Sequence, residues 1–142
     1  MAIANLHETI LMYTLRKSDL INEISSLQTQ KTLASMNQGD ARGLHHAKEN
    51  SLKAYYKEIY QTNPDLQAKY KDYTEIPEFE DEMEKLQAML DEQLDELKNW
   101  EVNINNQITT NSTELEEINA FLDSYKSMLT SNIQEDFNYG QN

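Results

Sequence analysis

The segment that decides the fold lies in the second half of the chain, where residues 77–104 read PEFEDEMEKLQAMLDEQLDELKNWEVNI. Its apolar residues recur with a heptad rhythm that only Gln93 interrupts. They are Met83, Leu86, Leu90, Leu97, Trp100 and Ile104. This spacing predicts an amphipathic helix. Pro77 suits a first helical turn, and the acidic residues that follow it favour the positive end of the helix dipole.

The same helix is predicted to continue through residues 77–137, because no Gly or Pro occurs between Glu78 and Phe137. A second apolar phase follows the first. Its members are Ile108, Leu115, Ile118, Leu122, Tyr125, Leu129 and Ile133. We interpret the phase change between Ile104 and Leu115 as an inserted step of four in one unbroken helix. The alternative is a turn at residues 109–113, followed by a new helix that Thr113 and Glu116 would cap.

The first half of the chain carries the same kind of pattern in shorter pieces. Apolar residues at three- and four-residue steps predict a helix over residues 3–36. Gly39 and Gly43 stand in a polar stretch, which predicts a break or hinge. A second helix is predicted over residues 44–61, and the pair Asn63 and Pro64 caps a short third helix over 64–73.

These elements predict an all-α protein, since 3 Gly and 2 Pro in 142 residues are too few for many short strands. Two arms of similar length predict a long, coiled-coil-like antiparallel hairpin with a broken N-terminal arm, within a single helical domain over residues 1–142. Reflection about the tip places Lys57 near Asp91 and Asp95. It also places Lys69 near Glu82 and Lys71 near Glu80. The alternative is a three- or four-helix bundle that folds back at the two glycines.

The charges of the chain are distributed unevenly. The net charge is -13, with nine basic and eight acidic residues before position 75 but three and seventeen from there onward. Such an acidic field repels nucleic-acid phosphates and anionic lipids, so we expect no nucleic-acid partner. No apolar run is long enough for membrane insertion. A protein partner or self-association is expected instead.

Motifs that carry chemistry are missing from the sequence. The absence of Cys excludes thiolate chemistry. The pair His7 and Glu8 opens like a zinc-protease helix, but Leu11 stands where the second histidine would be needed. The adjacent His45 and His46 point about 100° apart on a helix and cannot chelate one ion unaided. We therefore predict no catalytic, cofactor-binding or metal-binding residues and no enzyme activity.

Tyrosines interleaved with lysines mark the end of the first half. They are Tyr55, Tyr56, Tyr60, Tyr70 and Tyr73, with Lys53, Lys57, Lys69 and Lys71 between them. Rings of this kind could stack nucleic-acid bases. The favoured interpretation is that the rings pack across the hairpin with lysine stems over them.

The chain resembles the small helical proteins exported by flagellar or type III secretion machines, which lack a cleaved signal and carry amphipathic helices at both ends. Residues 11–20 (LMYTLRKSDL) and 132–137 (NIQEDF) resemble the ends of uncharacterised helical proteins of gut bacteria. The resemblance covers the two ends of the chain and its helical character, and it implies no functional residues. The middle segment, with its two prolines, differs from the axial subunits of flagella.

The resemblance and the sequence together predict a bacterial, non-enzymatic structural or protein-interaction protein that self-assembles or binds a partner helix. The alternative is an acidic adaptor or chaperone for a secretion or assembly system. A cytoplasmic location is expected for either, with export without a cleaved signal peptide as the other possibility for a subunit.

Overall fold

The computed structural model describes residues 2–140, of which 96% are helical. Helix α1 spans Ile3–Thr62, α2 spans Pro64–Lys69, a 3-10 turn spans Tyr73–Glu75, and α3 spans Pro77–Gly140. No strand occurs within this described part. In each half of the hairpin, part of α1 packs onto part of α3. The predicted all-α helical hairpin is therefore confirmed.

Helix α3 follows the prediction closely. It begins at Pro77 and has no turn at residues 109–113, so the predicted continuous helix is confirmed. Asn63 caps α2 as predicted, because its side-chain oxygen accepts a hydrogen bond of 3.1 Å from the backbone N–H of Asp65.

The predicted break at Gly39 and Gly43 is wrong. Helix α1 runs through both residues, so the predicted helices over 3–36 and 44–61 are one helix. Neither glycine has a positive φ. A glycine inside a helix lowers the stability of that helix by about 1 kcal/mol relative to alanine. Packing of neighbouring residues, such as the fully buried Ala34, offsets this loss. The bundle that folds back at these glycines is not adopted.

The predicted helix over residues 64–73 is also shorter than expected. It ends at Lys69, and Tyr70 has an extended backbone. The hydroxyl of Tyr60 lies 2.9 Å from the carbonyl oxygen of Tyr70 and 2.8 Å from that of Lys71, and it holds the chain in this extended form. Asp72 then caps the 3-10 turn by accepting a hydrogen bond from the N–H of Tyr73.

Contacts divide the chain into two compact units, and both long helices contribute to each. Unit 1 joins the residues up to Lys31 with those from Asn103 onward. One cluster of buried residues in this unit consists of Leu20, Ile118 and Leu122, and Tyr13 stacks on Tyr125 with ring centroids 5.8 Å apart. Beside this cluster, Arg16 donates two hydrogen bonds to the Glu114 carboxylate in a bidentate ion pair, with N–O distances of 2.9 and 3.0 Å.

Unit 2 spans Thr32–Val102 and includes the tip of the hairpin. One cluster of buried residues in this unit consists of Tyr56, Ile76 and Phe79, with the Tyr56 and Phe79 ring centroids 5.4 Å apart. Four of the five tyrosines noted in the sequence pack in this cluster, so ring packing across the hairpin is confirmed for them. They are Tyr56, Tyr60, Tyr70 and Tyr73.

The predicted register of the two arms is wrong. Because Tyr56 packs on Phe79, the adjacent Lys57 lies at the level of Phe79 and not of Asp91. The connection from Asn63 to Ile76 contains α2 and the 3-10 turn. These residues were predicted to belong to the arms, so the arms pair in a different register. Lys69 contacts the ring of Tyr70 at 5.7 Å, and no ion pair joins it or Lys71 to Glu80 or Glu82 within residues 2–140.

Candidate interaction surface

Both helices of the seam in unit 2 depart from a heptad at one common level. Along α1 the half-buried positions Ala41, His45 and Glu49 follow two successive steps of four, where a heptad alternates three and four. Along α3 the same double step occurs at Leu86, Leu90 and Leu94. Ala41, His45, Leu86 and Leu90 line one small void, so the two insertions lie opposite each other. Each inserted step rotates the inward-facing row of its helix.

This location corrects the predicted phase of α3. The irregularity falls at Leu90, and the rhythm from Leu94 through Ile104 to Leu115 is regular. Trp100, predicted in the buried seam together with Leu97 and Ile104, is 37% exposed. Its place in the seam is taken by Glu101, which accepts a hydrogen bond of 2.9 Å from the Gln38 amide.

The rotation turns large apolar side chains outward onto one face of unit 2. Two adjacent cavities of about 650 Å³ and 440 Å³, which share Leu44, make a groove between the helices on this face. Leu44, Tyr55 and Met89 are 55%, 59% and 51% exposed. An amphipathic helix can lay its apolar face into a hydrophobic groove of this kind.

Two rows of side chains form the walls of the groove. The α1 row is Asn37, Asp40, Leu44, Lys48, Ser51 and Tyr55. The α3 row is Glu82, Lys85, Met89, Gln93, Glu96 and Trp100. Each row therefore has a central large aliphatic residue, Leu44 or Met89, and an aromatic residue at one end, Tyr55 or Trp100. The charged side chains of the two rows are of both signs.

The electrostatics of the groove differ from those of the rest of α3. Five of the twelve side chains in the two rows are charged, and they belong to Asp40, Lys48, Glu82, Lys85 and Glu96. The acids that dominate the net charge lie mostly elsewhere. The groove can therefore bury apolar surface without removing a large single-sign charge from water.

Of the three histidines, His45 has a local partner. The His45 ring lies 2.9 Å from Glu49, one turn along α1, while His7 and His46 are exposed. In residues 2–140 no group of three His, Asp or Glu side chains is placed to hold a metal ion. The Arg16 hydrogen bonds lower the pKa of Glu114, and burial raises the pKa of Tyr56, helped by the nearby Glu82 carboxylate.

The spacing of apolar residues in the sequence does not by itself predict the groove. Leu44 and Met89 lie outside the predicted stripes, and Trp100 was assigned to the buried face. The available signal was the pair of polar residues, Gln38 and Glu101, at positions where the heptad of each helix expects apolar side chains.

Comparison of the chain with family models, with curated proteins and with solved structures finds no match. No helix in the described part of the chain is long and apolar enough to cross a membrane.

Proposed function

We propose that this chain is a non-enzymatic protein-interaction protein, which uses the groove of unit 2 to bind a helix of another polypeptide. Coiled-coil-type pairing of α1 and α3 supplies a rigid two-helix platform, and the docked helix completes a bundle. The proposal includes a self-assembling subunit, exported without a cleaved signal, as the form that best agrees with the sequence. An acidic cytoplasmic adaptor or chaperone is the second candidate.

The observation that supports the proposal is the exposure of Leu44 and Met89, which line one groove from its two opposite walls. What distinguishes these two side chains from other exposed apolar residues is that they line one apolar groove, where a partner would bury both, and burying a side chain of this size contributes about 1.5–3 kcal/mol. Helix-in-groove binding uses anchors at steps of three and four, which matches the spacing of both rows.

The test compares the wild-type chain with the double variant Leu44→Asp, Met89→Asp. Both proteins are purified for light scattering and used as bait in affinity purification from the native cell, with mass spectrometry of the bound proteins. The control is Leu11→Asp, Leu15→Asp, since these residues are 60% and 59% exposed in unit 1. We expect the groove variant to lose an association that the control variant keeps.

Self-association alone would favour the assembling subunit, and one stable complex with a different protein would favour the adaptor. If wild type and groove variant associate with nothing, or with the same proteins to the same extent, the proposed function is wrong.

A further inference from the structure

The two cavities of the groove differ in charge. The cavity of about 440 Å³ is lined by two charged side chains, Asp40 and Glu96, and both are acidic. The cavity of about 650 Å³ is lined by Lys48, Lys85 and Glu82, so basic side chains outnumber acidic ones there. The groove therefore has an acidic end, marked by Asp40 and Glu96, and a basic end, marked by the two lysines.

The charges at both ends are available to a partner. Asp40, Glu96, Lys48 and Lys85 are all exposed. None of the four takes part in an ion pair within residues 2–140. A partner that supplies the opposite charge at each end therefore displaces no existing ion pair.

The acidic and basic ends are two to three helical turns apart. Eight residues separate Asp40 from Lys48 along α1, which corresponds to about 12 Å. Eleven residues separate Lys85 from Glu96 along α3, which corresponds to about 16 Å. The exposed Leu44 lies between the first two positions, as Met89 lies between the second two. A helix laid along the groove can therefore cover the apolar centre and reach both ends.

From this charge pattern we infer that the occupant of the groove is an amphipathic helix with basic side chains at one end of its apolar stripe and acidic side chains at the other. Its basic end lies over Asp40 and Glu96, and its acidic end lies over Lys48 and Lys85. The inference rests on the proposed function and states the chemistry of the partner helix. The charges also fix the direction of that helix, because turning it end to end places like charges together.

Helices of a single charge fit the groove less well. The net charge of -13 attracts a uniformly basic helix over long distances, but that helix sets like charges against Lys48 and Lys85 once it docks. A uniformly acidic helix is repelled by the net charge and meets Asp40 and Glu96. A helix with segregated charges avoids like-charge contacts at both ends.

The test uses two designed peptides of about 20 residues, long enough to span the groove, with the same leucine stripe and the same composition. The segregated peptide carries arginines in one half and glutamates in the other, and the interleaved peptide alternates them. Binding to the full chain is measured by the fluorescence of Trp100, which lines the acidic end. We expect the segregated peptide to bind about tenfold more tightly at low salt, and less so at high salt.

Charge exchange in the chain tests both ends. The double variants Asp40→Lys, Glu96→Lys and Lys48→Glu, Lys85→Glu each give the two ends the same sign, so each should weaken binding of the segregated peptide about tenfold. The variant with all four substitutions has segregated charges again, with the ends exchanged. It should bind the segregated peptide nearly as tightly as wild type, in the opposite direction.

The direction of the bound peptide is read by energy transfer from Trp100 to an acceptor dye. In the wild type, a dye on the arginine end should receive more energy than a dye on the glutamate end, and the variant with four substitutions should reverse this order. The control variants make the same charge changes at exposed positions outside both rows and should leave binding and direction unchanged. They are Glu84→Lys, Asp95→Lys and Lys53→Glu, Lys98→Glu.

Equal binding of the two peptides overturns the inference, and so does a lack of binding up to about 1 mM. Failure of the proposed function is a separate result, in which the Leu44→Asp, Met89→Asp variant keeps every association of the wild type. If that variant loses an association but the two peptides bind equally, the groove is an interaction site and only the charge pattern assigned to its occupant is wrong.

Discussion

Leu44 of α1 and Met89 of α3 line one groove, and more than half of the surface of each side chain is exposed. They lie at the level where the inward-facing row of each helix gains an extra step of four residues. Because the two insertions are opposite each other, the helices stay paired while their apolar side chains turn to one side. The position of the groove therefore follows from the phase of the helices.

The first prediction concerns the cost of truncating groove residues. Leu44→Ala should change the free energy of unfolding by less than about 0.5 kcal/mol at a concentration where the chain is monomeric, because that leucine is already hydrated. Leu90→Ala, a matched change at a side chain that is 8% exposed, should cost about 2–5 kcal/mol. Urea denaturation measures both. Equal losses would mean that Leu44 contributes to the core of the monomer.

Trp100 is the only tryptophan in the chain and belongs to the α3 row, so its fluorescence reports on the groove. When a partner helix docks in the groove, the emission maximum of Trp100 should move to shorter wavelength and acrylamide should quench it less. The cause is transfer of the indole ring from water to an apolar contact. An emission spectrum that docking leaves unchanged would argue against burial of Trp100.

Substitution of the helical glycines tests the continuity of α1. A Cβ added at Gly39 or Gly43 meets no atom within 4 Å. Since both residues are helical, Gly39→Ala and Gly43→Ala should each stabilise the chain by about 0.5–1 kcal/mol in thermal or chemical denaturation. If either glycine were a left-handed residue in a hinge, its substitution by alanine would instead destabilise the chain, because alanine is strained in that conformation.

The ion pair between Arg16 and Glu114 in unit 1 should make the stability of the chain depend on pH. Hydrogen bonds from Arg16 lower the pKa of Glu114 below its usual 4.5. The carboxylate therefore contributes stability above that pH, and the contribution is lost as the pH falls through the lowered pKa. When the melting temperature is measured between pH 7 and 2, Glu114→Gln should reduce its decrease in the range where Glu114 becomes protonated. Arg16→Gln should reduce this decrease equally, and the double variant no further. Additive effects would show that the two side chains act separately.

Much of the fold could be predicted from local signals. A proline in the first turn, a run without Gly or Pro and a regular apolar stripe correctly predicted α3 from Pro77 onward. Asn63 and Pro64 correctly predicted the start of α2. These signals depend on residues close in sequence, and capping and periodicity act at that range.

The errors concern quantities that depend on contacts between distant residues. Gly39 and Gly43 weaken a helix locally, but packing of neighbours such as Ala34 decides whether it continues. The register of the arms depends on how the connection after Thr62 folds, which the hydroxyl of Tyr60 helps to fix through Tyr70 and Lys71. The groove depends on two phase changes being opposite each other, which neither helix specifies alone.

The most direct measurement of the proposed function compares the wild-type chain with the Leu44→Asp, Met89→Asp variant in light scattering and affinity purification. We expect the wild type to form an association that this variant loses and that the Leu11→Asp, Leu15→Asp variant keeps, because Leu44 and Met89 line the groove and Leu11 and Leu15 do not. Equal association of the wild type and the groove variant would contradict binding at the groove.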